Sequence, residues 1–336
     1  MIDSIFKDKR ICITGGAGFI GSAIARRLAK ISKVTIVDAL IPEYGGNLQN
    51  LEAVKSLINI KIGDIRDKTI LENMVKNVDI IFNMAGQTSH MDSMSDPYTD
   101  LEINAQAQLL ILEAIRKYNP KVKIIYASTR QLYGRPDYLP VDEKHPIRPI
   151  DVNSINKNAG EQYHLLYRDV YGINSSILRL TNTYGPGMRI KDSRQTFIGV
   201  WIQQALKNEK FELWGGEQVR DFNYIDDVVD AFLSVAISEK TNGEIFNLGS
   251  DEVLTLKEFA GGLIVANGLG NYVINEFNPF IKIRKFPKNR KKIDIGNYYS
   301  DYSKINNLLG WEPSINLEKG LRSTLNYYRK YGEYYF

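Results

Sequence analysis

Short apolar runs of strand length alternate with longer helical segments through the first half of the chain, and no other feature restricts its fold as tightly. RICIT (Arg10 to Thr14) leads into FIGSAIARRLAK, which sets Ile20, Ile24 and Leu28 on one helical face. VTIVD follows, then a helix over 48–57 and NIKIGD, a helix over 68–76 and VDIIFNMA, a long helix over 97–118 and VKIIYAS. A helix over 154–171 and SSILRLT close the series. Strand runs that stay apolar on both faces, separated by helices, predict a parallel sheet covered on both sides. With right-handed crossovers this is an α/β, doubly wound sheet whose ligands bind at the carboxyl ends of its strands.

The pattern changes at Gly185. Loops lengthen, YGPG and WGGEQ bring in glycine and proline, and short strands mix with helices over 197–207 and 226–238. LKEFAGGLIVANG and LEKGLRSTLNYYRKY read as two further amphipathic helices. The expected organisation is a first domain over residues 1–184, with a return to it near 222–248, and a smaller C-terminal α/β lobe over 185–336.

At 336 residues the chain can bury a large core, and 43% apolar with 24% charged residues is ordinary for a globular protein. No apolar run approaches the ~20 residues of a membrane span. MIDSIFKDKRICITGG carries no signal-peptide core, so a cytoplasmic setting without a membrane partner is expected. The single cysteine, Cys12 inside an apolar strand, fits that reducing setting and excludes an internal disulfide framework. A net charge of +4 is too small to imply nucleic acid. The basic run IKIRKFPKNRKK (Ile281 to Lys292) has no nucleic-acid-binding motif beside it. It reads as a solvated face or as a site for an anionic small molecule.

TGGAGFIGS (Thr14 to Ser22) sits between a strand and a helix, with Gly15, Gly18 and Gly21 spaced three apart. Missing side chains permit the tight turn and let backbone N–H groups, those of Phe19 and Ile20 included, approach a pyrophosphate. The second strand ends in Asp38, at the right distance to accept hydrogen bonds from an adenosine ribose diol. A carboxylate there repels a 2′-phosphate, so this Rossmann-type site favours NAD over NADP. GDIRD offers Asp64 and Ile65 to an adenine, and NMAGQ passes Met84, Ala85 and Gly86 close to the cofactor.

Taken in order, TGGAGFIGS, Asp38, GDIRD, NMAGQ, YASTRQLYG, the segment around Lys157, LRLTNTYGPG, WGGEQVRDFNYIDD and DYSKINNLLGWEP resemble the extended short-chain dehydrogenase/reductase family. The likeness is to its nucleotide-sugar epimerases and dehydratases, and it covers nearly the whole chain. It implies a tightly held NAD, a nucleoside-diphosphate sugar as substrate, and a hydride that leaves the sugar and normally returns. Thr129 matches the residue that hydrogen-bonds the reacting sugar hydroxyl, and Lys157 the lysine that holds the nicotinamide ribose. Gln87, Asn182, Arg220 and Arg290 match substrate contacts, the last three towards the diphosphate or ribose. Segments 105–115 and 159–170 match helices that pair family members into homodimers.

Two departures matter. Asn153 stands four residues before Lys157, where the family usually has the tyrosine that takes the substrate's proton. An asparagine amide orients a hydroxyl but does not accept its proton. Lys157 with a lowered pKa, or His90 in QTSHMDS, can substitute, His90 otherwise serving only in binding. Thr129, Lys157, Asn153 and His90 thus form the candidate catalytic set. Tyr133, Arg179, His145 and His164 read as structural, packing or surface residues. The second departure is Arg130-Gln131, which replaces the acid pair of ordinary dehydratases. Arg130 suits a carboxylate or phosphate, or a salt bridge outside the site. Epimerisation through a transient keto-sugar is the leading expectation. Dehydration or decarboxylation with an atypical acid/base set, and a non-catalytic NAD and nucleotide-sugar binder, are the alternatives.

Overall fold

A computed structural model describes residues 2–270, 274 and 278–336. The chain runs α1 (Ile2–Phe6), β1 (Arg10–Thr14), α2 (Phe19–Leu28), β2 (Lys33–Asp38), β3 (Asn59–Ile62), α3 (Lys68–Met74) and β4 (Ile80–Asn83). Then follow α4 (His90–Ser95), α5 (Pro97–Leu101), α6 (Ala107–Tyr118), β5 (Lys123–Thr129), α7 (Val152–Tyr171), β6 (Asn174–Leu180) and β7 (Asn182–Tyr184). The remainder is α8 (Phe197–Leu206), β8 (Phe211–Trp214), β9 (Val219–Tyr224), α9 (Ile225–Ile237), β10 (Ile245–Asn247) and β11 (Val253–Thr255). It ends with α10 (Leu256–Ala266), β12 (Ile281–Arg284), α11 (Lys288–Lys291), α12 (Ser303–Leu309) and α13 (Leu317–Tyr331).

Seven parallel strands form the main sheet in the order β10-β6-β5-β4-β1-β2-β3. From β1 the chain winds outward through β2 and β3, then returns to β4 and winds the other way. The strand order therefore reverses between β1 and β4, and a crevice opens at their carboxyl ends. Successive side chains alternate across the sheet. Ile11 and Ile13 join the core that includes Ile24, Leu28 and Phe232, whereas Cys12 joins Leu71, Ile111, Ile115 and Tyr167 on the other face. The apolar LLILEAI run thus faces the core through Ile111, Leu112 and Ile115, all fully buried. β10 lies beside β6 in this sheet. The smaller lobe has a three-stranded sheet, β11-β9-β7, and the parallel pair β12-β8. Among the described residues no helix is long and apolar enough to cross a membrane.

Two helices differ from expectation. The segment expected as a helix over 48–57 is a 3₁₀ turn at Leu48–Val54, where the Asn50 side chain donates to the carbonyls of Ala17 and Gly187 and pins it to the crevice. The long helix over 97–118 is broken by a π-helical turn at Glu102–Gln106. That widened turn is stabilised from outside: Gln108 Nε2 donates to the Ile103 carbonyl, and the Tyr126 hydroxyl reaches the Asn104 carbonyl. α7 starts at Val152 because the Asp151 carboxylate accepts from Ser154 N at 2.8 Å as its N-cap.

Candidate active site

The glycine loop lies at the switch point. Gly15 adopts φ +62°, and a Cβ there would sit 2.8 Å from the Ala85 backbone. A Cβ on Gly21 would run into the Gly15 carbonyl, so loop and helix pack only without side chains. α2 has no side-chain cap at its N-terminus, which leaves first-turn N–H groups of Phe19, Ile20 and Gly21 for an anion. Asp38 ends β2 with Oδ2 accepting from Ala17 N at 2.9 Å and Oδ1 from Leu40 N at 2.8 Å. Burial pushes its carboxyl above the usual range, against the pull of those N–H groups.

Gly15, Gly18, Phe19, Ile20, Gly21, Asp38, Asp64, Ile65, Met84, Ala85 and Gly86 line one open cleft of about 830 Å³. The Asp64 carboxylate is held by Arg66, with Nη2 at 2.7 Å. Burial raises its pKa, but the Arg66 hydrogen bonds outweigh that and keep it below the usual range. Tyr44, Thr88 and Gln195 also line the cleft. No sequence motif marks them, because each comes from a loop that only the fold brings to this edge.

Ala127 of β5 lines the cleft, and Thr129, two residues further along, closes that strand and accepts from Gln131 N at 3.2 Å. Lys157 lies one turn beyond Asn153 on α7. Its Nζ donates to the Ala127 carbonyl at 3.0 Å and stands over the Tyr126 ring. Burial pushes Lys157 down to about 8, opposed by Asp100 and Glu161. A Cβ on Gly86 would come within 2.9 Å of that Nζ. Gly86 thus keeps the lysine under the cleft floor.

Asn153 is 2% exposed. Its Nδ2 donates to the Gln87 carbonyl at 2.8 Å and to Asp100 Oδ2 at 2.9 Å, and its backbone N–H donates to Ser93 Oγ. Asp100 also accepts from Asn104 Nδ2 and Asn156 Nδ2, so three amides surround one buried carboxylate. Asn153 is thus built into a polar cage and brings no titratable group of its own.

Asn182 meets Arg130, whose Nη2 donates to Asn182 Oδ1 at 3.1 Å and whose guanidinium stacks on Tyr298. Among the described residues Arg130 forms no ion pair. Arg220 donates to the Val219 and Gly296 carbonyls and approaches Asp294 at 3.5 Å. Burial, then Arg130, pushes Arg220 down to about 10. Arg130 and Arg220 are both desolvated and close enough to repel, and the Asp221 and Asp294 carboxylates face them from within the protein. Arg290 lies over the Trp214 ring, 4.6 Å from its centre. His90 opens α4 with Nδ1 3.0 Å from Asp151 Oδ2. Arg179 is wholly structural, buried against Glu161 at 2.6 Å. His145 and His164 are buried packing residues, not surface ones.

A seven-stranded parallel sheet, a glycine cradle at its switch point and a buried lysine beside the cleft define a dinucleotide-dependent short-chain dehydrogenase/reductase fold. Residues 11–249 match the model of the NAD dependent epimerase/dehydratase family, and the chain belongs to that family of enzymes. A Methanocaldococcus jannaschii protein provisionally named a UDP-glucose 4-epimerase is 35% identical over 321 residues, 94% of this chain and 97% of its own length. The UDP-glucose 4-epimerase of Thermotoga maritima, solved with UDP-glucose, is 30% identical with a TM-score of 0.85, covering 96% of this chain and 99% of that one. The dTDP-glucose 4,6-dehydratase of Streptomyces venezuelae, solved with NAD bound, is 26% identical with a TM-score of 0.86, covering 97% and 98%.

Proposed function

We propose that the protein epimerises a nucleoside-diphosphate sugar through transient oxidation of one ring carbon. The observation that carries this reading is Asn182 hydrogen-bonded to the buried Arg130, with the buried Arg220 near enough to feel Arg130's charge, in a chain whose glycine cradle lines a dinucleotide cleft that reaches Ala127 of β5. An NAD cradle beside an anion site is what a hydride-transfer enzyme with a diphosphate-bearing substrate needs.

The residues present fit NAD. Cβ atoms at Gly15, Gly21 or Gly86 would fill the space or displace Lys157, and Asp38 closes the ribose end. Bound NAD supplies a reversible acceptor for the sugar's hydride. In this reading Lys157 holds the nicotinamide ribose, and its charge favours an ionised sugar hydroxyl. Thr129 orients that hydroxyl, while Asn182, Arg220 and Arg290 hold the nucleotide part, and Gln87 with Asn153 shapes the wall behind the sugar. Arg130 and Gln131, standing where a dehydratase carries its acid pair, support epimerisation over loss of water.

The proposed assembly is a homodimer. Tyr98 and Leu101 on α5, and Ile155, Leu166 and Val170 on α7, are exposed apolar side chains on the helices that the family resemblance pairs between subunits or on their neighbours.

Proton NMR of the protein with NAD and a panel of nucleotide sugars in heavy water tests the reading. A new anomeric signal with inverted couplings supports epimerisation. A deoxy-keto product or released carbon dioxide moves the assignment to dehydration or decarboxylation, and line-broadening without conversion makes the protein a binder.

A further inference from the structure

We propose that His90 and Asp151 form a proton-handling dyad in this site, His90 exchanging the proton of the reacting sugar hydroxyl and Asp151 acting as its positioning residue. The proposal rests on the nucleotide-sugar reading above and assigns the role that Asn153 cannot fill.

The geometry starts at Asp151, which is 3% exposed and fixed by α7's first turn. Its Oδ1 accepts from Ser154 N at 2.8 Å and Ser154 Oγ at 2.7 Å. Its Oδ2 accepts from Gln131 Nε2 at 3.1 Å and lies 3.0 Å from His90 Nδ1. The His90 N–H does not point squarely at that oxygen, so the contact is a close approach rather than an aligned hydrogen bond. Burial pushes the Asp151 carboxyl up, but His90 and Ser154 outweigh it and hold it below the usual range. An ionised Asp151 favours the tautomer with its proton on Nδ1. Nε2 is then the ring atom left to meet a substrate. The His90 side chain is 34% exposed, so that edge is open.

Hydrogen bonds tie the dyad to the reacting end of the site. Thr129 Oγ1 accepts from Gln131 N, Gln131 Nε2 donates to Asp151, and Asp151 faces His90. Gln131 stands where dehydratases of the family place an acid; here it steadies the carboxylate behind the imidazole. Asn153, two residues past Asp151, has its amide committed to Gln87 and Asp100. Lys157 is the competing base, yet it stays protonated below about pH 8 and is held by the Ala127 carbonyl. The charged groups on the elements packed around His90 are Asp151 and Lys157 of α7, Asp92 on α4, and Asp96 and Asp100 on or next to α5. Asp92 is paired with Arg194.

In the oxidation step the hydroxyl O–H bond breaks and its proton passes to His90 Nε2. The carbon's C–H electron pair leaves as hydride for oxidised NAD, and a C=O bond forms. The reverse step, on the other face of the sugar, returns both, so no further oxidant is consumed.

Three measurements test this. With only three histidines in the chain, NMR titration of wild type against His90→Gln assigns the His90 imidazole. Asp151→Asn is expected to shift that ring's neutral tautomer away from Nδ1–H, read from its ring-nitrogen chemical shifts; an unchanged tautomer overturns the positioning role. His90→Gln is expected to cut kcat by about 100-fold or more with KM within a few-fold. His90→Gly is expected to regain rate when imidazole is added, which a structural role does not produce. Turnover by wild type with His90→Gln within threefold of it overturns the dyad and leaves the epimerase reading intact. A wild-type protein that binds NAD but converts no nucleotide sugar overturns that reading, and the dyad with it.

Discussion

Asn153 is buried at the head of α7, and its side-chain and backbone N–H groups are committed to neighbours. Gln87, Ser93 and Asp100 each take one of its hydrogen bonds. Asn153→Tyr is expected to destabilise the fold by about 1–3 kcal/mol through overpacking and a lost donor to Asp100. It should not raise turnover; urea denaturation and steady-state rates check both statements. Lys157 carries a separate pH signature. Its pKa is about 8 in the folded protein against an ordinary 10.5, so between those values the unfolded chain binds more protons. The penalty of burying the charged lysine is full below about pH 8 and is relieved as pH rises towards 10.5. Lys157→Met should therefore flatten the stability profile in that window, by roughly 2–3 kcal/mol across it. Denaturation series at pH 8, 9 and 10, wild type against variant, isolate this from other groups. In the proposed reading Asp38 sets the preference for NAD over NADP. Asp38→Ala is expected to weaken NAD binding about tenfold or more and to narrow its preference over NADP, read by calorimetry with both dinucleotides.

α7 is the element that gathers the site: Asp151 caps it, and Asn153, Lys157 and Glu161 follow at four-residue spacing on one face. Glu161 anchors this face to β6 through Arg179, which also donates to the Tyr133 hydroxyl at 2.6 Å. Both partners are essentially fully buried, so Glu161→Gln leaves a guanidinium without its counter-ion. About 3–5 kcal/mol of stability should be lost, with a matching fall in urea midpoint. The helix was legible in the sequence because its apolar spacing and the family's lysine lie within it. Its partnership with α4 was not. His90 and Asp151 are distant in sequence, and nothing local to QTSHMDS or PIDVNS announces that they meet. The break at Glu102–Gln106 was hidden for a related reason, since the groups that stabilise it, Gln108 and Tyr126, act through tertiary contacts rather than helix propensity.

The whole molecule follows the strand–helix alternation, and the crevice at the β1/β4 reversal collects residues whose motifs were visible one by one. What alternation could not supply is the loop geometry of the smaller lobe, where Gln195 reaches the cleft and Tyr298 stacks under Arg130. Assembly belongs to this scale too. Leu166 and Val170 stand four apart on α7, 53% and 59% exposed, and in the proposed homodimer they are apolar contacts of that helix. Leu166→Glu with Val170→Glu should convert a dimer to a monomer in sedimentation experiments while NAD binding persists. The amide cage around Asp100 carries a longer consequence. Asn104, Asn153 and Asn156 share one acceptor, so each residue's value depends on the others being present. A change at any one of the three is therefore felt at the other two, and the cage answers to substitution as a single unit.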